Sequence, residues 1–313
     1  MQIILLIALC HSILKGWYVM SVEFISQGDH CVADLYLPKG VSLPPVIVMA
    51  HGFAGERKAR LPVYAQRFCD AGYAVFLFDY RGFGDSEGIP RQLVSPWRQL
   101  DDWRAAIAHV RTLNNVDTKR LILWGTSFAG GHVISIASED HNIHAIISQV
   151  PFTSGVNLAL QNSLVEMLHM TWAGIKDSVR ALIGATPHPY PVVARPGQPA
   201  VMNTEESYDG YLRLFPEDTQ WVNGVPARVS LQIPFYNPIL SAHKVTCPSL
   251  IVAAVNDSLI PASMVKSMAD RIKNSEYCEL DANHFEPYVG DHFEENIGVQ
   301  IGFLRGCCPV DVG

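Results

Sequence analysis

Leu121-Ile122-Leu123-Trp124-Gly125-Thr126-Ser127-Phe128-Ala129-Gly130-Gly131-His132-Val133-Ile134-Ser135-Ile136-Ala137-Ser138 is the stretch from which the fold can be read. Leu121–Trp124 reads as a short buried strand, and Phe128–Ser138 as a helix directly behind it. A strand-to-helix turn this abrupt needs small neighbours. Gly125 and Gly130-Gly131 supply them, with Ala129 standing where a second glycine would complete G-x-S-x-G. Such a turn lifts Ser127 to the helix N-terminus, where unpaired N–H groups and the helix dipole favour developing negative charge. The same residues would also make a plain strand–turn–helix with a capping serine, so the surrounding loops must decide.

Strands and helices alternate on both sides of this stretch. Val22–Ser26 and Cys31–Leu37 flank Gln27-Gly28-Asp29 as a hairpin. Val46–Ala50 and Tyr73–Phe78 are continuous apolar runs of the kind a buried parallel strand shows, with a helix over Leu61–Ala71 between them. Pro96 to Asn114 reads as an amphipathic helix. Later come strands at Ile143–Val150, Ser249–Val255 and Tyr277–Leu280, and helices at Pro261–Lys273 and Phe293–Leu304. This pattern predicts an α/β fold with a doubly wound, mostly parallel sheet. The core is expected over residues 20–151 and 242–306. Residues 152–241 break the alternation, and Pro187-His188-Pro189-Tyr190-Pro191 cannot be a regular helix. They read as a helical or irregular lid inserted over the sheet's C-terminal edge, where ligands of open α/β sheets bind. Its aromatic residues, Trp172, Tyr211, Phe215, Trp221, Phe235 and Tyr236 among them, suit an apolar substrate or ordinary lid packing. Residues 1–19 form an apolar N-terminal segment and 307–313 a tail.

The chemistry then follows from what stands after each strand. In the chain order Ser…Asp…His, Asp257 follows the strand Ser249–Val255 and His284 follows Tyr277–Leu280. Both would emerge at the sheet edge that carries Ser127. His284 would take the Ser127 hydroxyl proton, and Asp257 would hold the imidazole tautomer. Asp281 and Glu286 are rival orienters of His284. His51-Gly52-Phe53-Ala54-Gly55 follows Val46–Ala50, and the backbone N–H groups of Phe53 and Phe128 are the candidates for an oxyanion hole. His51 is read as structural, its ring bonded to the loop backbone. In Asp79–Gly88 (DYRGFGDSEG), Asp79, Arg81 and Asp85 could pair to stiffen the loop. Its G-x-G is not a dinucleotide fingerprint, because Pro90 and Pro96 oppose a helix starting there.

Composition narrows the classes further. The 313 residues are 49% hydrophobic and 17% charged, which excludes disorder and coiled coil. The net charge is −7 and no basic run occurs, so nucleic acid is not an expected partner. Seven cysteines form no C-x-x-C pair and suit free thiols in a reducing compartment better than zinc or disulfides. No metal or cofactor is expected. Ile3–Cys10 is too short to span a bilayer, so stable membrane insertion is not expected. It resembles a signal-peptide core without a preceding Lys or Arg, and Met20 is an alternative start. The expected location is the cytoplasm, with secretion through residues 1–19 as the alternative.

HGFAG (His51–Gly55), DYRGFGDSEG (Asp79–Gly88) and GTSFAGG (Gly125–Gly131), in this order, resemble the α/β-hydrolase superfamily over nearly the whole chain. They look most like its dienelactone-hydrolase and X-Pro-dipeptidyl-peptidase branch. ADLYLP (Ala33–Pro38), WGTSFAGGH (Trp124–His132) and ANHFEPYVG (Ala282–Gly290) are similar to fungal polyketide-transferase and toxin-biosynthesis hydrolase-like proteins. The resemblance implies an α/β-hydrolase fold and a serine acyl-transfer enzyme. Its substrate would be a small ester or thioester of an apolar, polyketide-like acyl group, carried on a polyketide synthase or coenzyme A where it is not free. Water as acceptor makes a hydrolase, and an alcohol makes an acyltransferase, in secondary-metabolite biosynthesis. Several such fungal proteins carry a peroxisomal C-terminal tripeptide, whereas this sequence reads Pro309-Val310-Asp311-Val312-Gly313. The alternatives are a non-catalytic binding protein on the same scaffold and a general carboxylesterase or peptidase.

Overall fold

In the computed structural model, which describes residues 16–161 and 163–310, two long strands come first. β1 (Trp17–Ser26) and β2 (Asp29–Pro38) pair antiparallel around Gln27-Gly28. Then follow β3 (Pro45–Ala50), α1 (Leu61–Asp70), β4 (Ala74–Phe78), α2 (Pro96–Val110), β5 (Asp117–Thr126), α3 (Phe128–Ala137) and β6 (Ala145–Gln149). Between β6 and the next sheet strand lie α4 (Gly155–Gln161), α5 (Leu164–Leu182), β7 (Pro189–Tyr190), α6 (Ser207–Leu212) and β8 (Val225–Pro226), followed by short 3-10 turns. The chain re-enters the sheet as β9 (Ser249–Ala254), α7 (Ala262–Ala269), β10 (Ser275–Leu280) and α8 (Gly290–Cys307).

The eight-stranded sheet has the order β1-β2-β4-β3-β5-β6-β9-β10, and β2 alone runs against its neighbours. β3, β4 and β9 are buried at every residue, as parallel strands covered on both faces must be. α1 shows how the covering works. Its buried residues Leu61, Tyr64, Ala65, Phe68 and Cys69 fall on one helical stripe.

Register decides which side chains meet which helices. Phe78, Ala50, Gly125, Ser148 and Ile251 form one row across the sheet. From this row Phe78 packs on Trp103 of α2 with ring centroids 5.2 Å apart, and Ser148 Oγ donates to the Gly130 carbonyl of α3 at 2.9 Å. The neighbouring row points the other way. There Trp124 packs on Tyr64 of α1 and donates from Nε1 to Gln300 Oε1 of α8 at 2.7 Å. Gly125 lies where α3 comes closest. A Cβ there would sit 2.2 Å from the Ala129 carbonyl oxygen. The need for a small residue therefore falls on Gly125, and Ala129 is accommodated.

Several boundaries differ from those expected. β1 begins at Trp17, which is buried against Tyr36 (5.5 Å), so the sheet starts ahead of residue 20. α8 runs through Cys307, and Cys308 is buried beyond the expected end of the core at 306. The apolar run Ile3–Cys10 lies outside the described residues. Within 152–241 the largest element is the 19-residue α5, which the sequence reading did not separate from the proline-rich stretch after it. Ser163 and Glu166 cap it reciprocally, and S-x-x-E was the signal that could have found it. The described cysteines are free thiols. Among the described residues no helix is long and apolar enough to cross a membrane.

Gly125→Ala should destabilise the protein by more than about 2 kcal/mol, because a Cβ would collide with main chain rather than a movable side chain. Urea unfolding of the variant measures this, and a loss below about 0.5 kcal/mol would show that α3 can shift aside.

Candidate active site

All the parallel strands end at one edge, and the loops leaving them build the site. β5 hands the chain to Ser127, whose backbone stands at φ 55° and ψ −119° before α3 begins. The Ser127 N–H donates to Gln149 O at 2.9 Å, and the Phe152 N–H donates back to Ser127 O at 2.8 Å. The elbow is thus tied on both sides to the end of β6. Ser127 itself is half-buried, leaving its hydroxyl open to a ligand.

His284, in the loop after β10, places Nε2 3.0 Å from Ser127 Oγ. Its Nδ1 lies 2.6 Å from Asp257 Oδ2, in the loop after β9. Asp257 Oδ1 accepts the N–H groups of Leu259 (2.9 Å) and Ile260 (2.8 Å), so the carboxylate is aimed before any substrate arrives. Asp257 and His284 are both buried. The rival orienters point elsewhere. Asp281 accepts Asn256 Nδ2 at 2.9 Å, and Glu286 accepts the Asn283 N–H at 2.7 Å.

The loop after β3 lies against the elbow. A Cβ on Gly52 would be 3.0 Å from Ser127 Cβ and 3.1 Å from Thr126 O, tighter than side chains ordinarily pack, so the glycine eases this close approach. The Phe128 N–H belongs to the first turn of α3, where helix donors have no internal partner. Phe53 and Phe128 both line the cavity beside Ser127. Two side chains from the inserted segment hold the loop: Tyr211 OH donates to Phe53 O and Trp221 Nε1 to Ala54 O, each at 2.8 Å. His51 Nδ1 donates to Gly52 O at 2.9 Å, which sets the tautomer, and burial holds its imidazole below the ordinary range.

The acidic loop after β4 is stiffened differently from expectation. Arg81 pairs with Asp102 of α2, not with Asp79 or Asp85. Those two carboxylates meet Arg57, a residue the sequence reading passed over. Arg57 donates from Nε to Asp34 (3.0 Å), from Nη2 to Asp85 (2.8 Å), from its backbone N–H to Asp79 (2.6 Å) and from Nη1 to Asp79. A buried charge needs such partners, and their supply from two segments, β2 and the loop after β4, could not be read from spacing.

A second feature escaped the sequence. Beneath the elbow, Gln149 Nε2 donates to Thr126 Oγ1 (3.1 Å), and Gln149 Oε1 accepts from Asn296 Nδ2 (2.7 Å) and Gln300 Nε2 (2.8 Å) of α8. Thr126 Oγ1 also bonds Tyr288 OH in the loop carrying His284. Behind Phe128, His132 accepts from Tyr236 OH at Nδ1 (2.7 Å) and donates from Nε2 to Gln99 Oε1 (3.0 Å). Burial pushes this imidazole down to about 3.

Two cavities meet at Ser127. The first, about 600 Å³ counting its open mouth, is walled by Phe128, Phe152, Leu158, Val201, Met202, Ile233 and Ile260. The second, about 440 Å³, is walled by Leu61, Tyr211, Leu214, Phe215 and Tyr288. Of the aromatics expected in the lid, Tyr211 and Phe215 line a cavity, whereas Trp172 and Phe235 are exposed and Tyr236 is buried on His132. The first cavity is bounded by the inserted segment's aliphatic residues instead. Among the described residues no Asp or Glu lines either cavity. Among the described residues no group of three or more His, Cys, Asp or Glu side chains converges as metal ligands would.

A parallel sheet with one reversed strand, a serine on a strand-to-helix elbow, and Asp and His on later loops define the α/β-hydrolase class. Residues 43–282 match the serine aminopeptidase S33 family (Hydrolase_4), and the chain belongs to that family. It is 40% identical over 291 residues to the quorum-quenching protein AidA of Acinetobacter baumannii, covering 93% of this chain and 96% of that one. It is 26% identical over 283 residues to the polyketide transferase af380 of Aspergillus fumigatus, covering 88% and 94%. The fold superposes on the α/β hydrolase GrgF from Penicillium sp. sh18 with a TM-score of 0.81, at 21% identity, covering 93% of this chain and 99% of that one.

His132 makes stability pH-dependent in a stated direction. In the unfolded chain its imidazole binds a proton near 6.5, and in the folded chain only near about 3, so acid favours unfolding. This contribution is complete above pH ~6.5 and is lost towards pH 3, by about 1.4 kcal/mol per pH unit for the one proton. Urea unfolding at about pH 7 and pH 5 should show His132→Gln losing less stability than wild type, by roughly that one-proton slope. Equal losses would mean that His132 is protonated in the fold.

Proposed function

We propose that this protein is a serine hydrolase of small carboxylic esters or thioesters with an apolar acyl group. The observation that carries the reading is the continuous relay from Asp257 Oδ2 through His284 to Ser127 Oγ, 2.6 Å and 3.0 Å long, at the mouth of an apolar cavity. His284 Nε2 takes the Ser127 proton as Oγ attacks the acyl carbonyl, and Asp257 stabilises the imidazolium. The oxyanion accepts the N–H groups of Phe53 and Phe128, each worth about 3 kcal/mol in the transition state. Collapse expels the alcohol or thiol, which takes the proton from His284. Water, deprotonated by the same nitrogen, then frees the acid from Ser127.

The acyl group belongs in the larger cavity and the leaving group in the smaller, aromatic one. Aminopeptidase action, suggested by the family's description, finds less support, because among the described residues no carboxylate lines either cavity to hold an α-ammonium group. The relative named a polyketide transferase supports a second reading. There an alcohol seated in the smaller cavity takes the acyl group, as in fungal secondary metabolism, from a donor on coenzyme A or a synthase. The free thiols accord with a reducing, intracellular compartment.

Ser127→Ala should lower turnover of a medium-chain p-nitrophenyl ester by at least about 10³-fold, while its melting curve stays close to wild type. A fluorophosphonate should add covalently to Ser127 of wild type and leave the variant unmodified in intact-mass spectra. Turnover persisting within about tenfold would overturn the reading. Asp257→Asn should cost roughly 10³–10⁴-fold in kcat, and Asp281→Asn little, as measured on the same ester. Adding alcohols decides the acceptor: free acid throughout means hydrolysis, and a new ester means transfer.

A further inference from the structure

The cavity beside Ser127 shares one wall with a neighbouring pocket. This further pocket, about 550 Å³ counting its open mouth, lies against α4 and the first half of α5 and is lined by Leu158, Ala159, Met167, Met170, Val201 and Ile233 among others, with Met167 and Thr171 at its solvent-exposed side. Leu158, Val201 and Ile233 line both chambers, so they form the partition between them. Among the described residues no charged side chain lines this distal pocket; its hydroxyls are those of Thr171 and of Ser230, the latter 2.8 Å from both the Met170 and Ala227 carbonyl oxygens. A polar ligand would find little to bind there, whereas hydrocarbon would lose water-exposed surface.

The partition is made of side chains. At Gly155 the main chain of α4 already touches the turn at Ile233, since a Cβ there would lie 1.7 Å from Ile233 O. The two backbones therefore hold a set distance, and passage depends on aliphatic rotamers. Met167 and Met170 at the far wall are unbranched and can mould to a chain.

We propose that the distal chamber receives the far end of a long acyl chain whose carbonyl sits at Ser127, and that Leu158, Val201 and Ile233 set the accepted chain length. This rests on the acyl-transfer reading above, and the test separates the two. Purified wild type, Ala159→Trp and Ile233→Ala are assayed on p-nitrophenyl butyrate, octanoate, dodecanoate and hexadecanoate. Fluorophosphonate labelling of Ser127 in each reports an assembled site. Wild type should favour dodecanoate over butyrate in kcat/KM. Ala159→Trp, which fills the chamber, should lower that ratio by about tenfold or more, and Ile233→Ala should shift the preference towards hexadecanoate. If Ala159→Trp fails to label, Met170→Trp fills the same space from the other wall. Variants that label like wild type yet keep its chain-length profile would overturn the channel alone. A wild type that neither labels nor turns over any ester would overturn the acyl-transfer reading, and the channel with it.

Discussion

Ser127 stands at φ 55° and ψ −119°, a region that costs a non-glycine residue about 1–3 kcal/mol, and the surrounding structure over-determines it. Gly125 lets α3 fold back onto the strand that precedes it. The end of β6 grips the elbow through Gln149 and Phe152, one bond entering and one leaving Ser127. The conformation is useful because it does two things together. It thrusts the hydroxyl out of the sheet edge, and it leaves the Phe128 N–H at the open end of a helix.

Around this turn the site is assembled from polar groups whose partners are already in place. Asp257 is aimed by two backbone N–H groups, and the His284 loop is joined through Tyr288 to Thr126, next to Ser127. Gln149, Asn296 and Gln300 satisfy one another below, so a buried polar layer separates the elbow from α8 without unpaired groups among these bonds. Arg57 does the same for the Phe53 loop by gathering Asp34, Asp79 and Asp85. Donors held in this way need little rearrangement when charge appears on a substrate, which is where such sites gain their rate.

The segment between β6 and β9 contributes differently on its two sides. Tyr211 and Trp221 hold the carbonyls of the Phe53 loop, and Glu206 accepts the Ser258 N–H at 3.2 Å beside Asp257. It is thus a buttress for two of the loops that form the site. Its Leu158, Val201, Met202 and Ile233 give the larger cavity an aliphatic wall. Membership of the serine aminopeptidase S33 family speaks to the scaffold, and this wall, which the scaffold does not dictate, speaks to the substrate.

The residues of the relay were legible because their signals are local. A strand, a tight turn of small residues and a helix announce Ser127, and Asp257 and His284 each follow a short apolar strand in the required order. The parallel sheet was legible for the same reason, since strands buried on both faces read as unbroken apolar runs. The choice of Asp257 over Asp281 and Glu286 was not settled locally, because all three lie within reach in sequence and only the strand ends decide which carboxylate faces the imidazole. Arg57, Gln149 and Asn296 carried no pattern at all. Their partners lie on segments distant in sequence, so their roles exist only once the sheet brings those segments together. The sequence alone determined the scaffold and the placing of Ser127 and His284 at one sheet edge, through periodicity and turn chemistry. Tertiary structure decided which carboxylate faces His284, the buried ionic hub and the shape of the cavity beside Ser127, because each depends on distances between residues that no local rule connects.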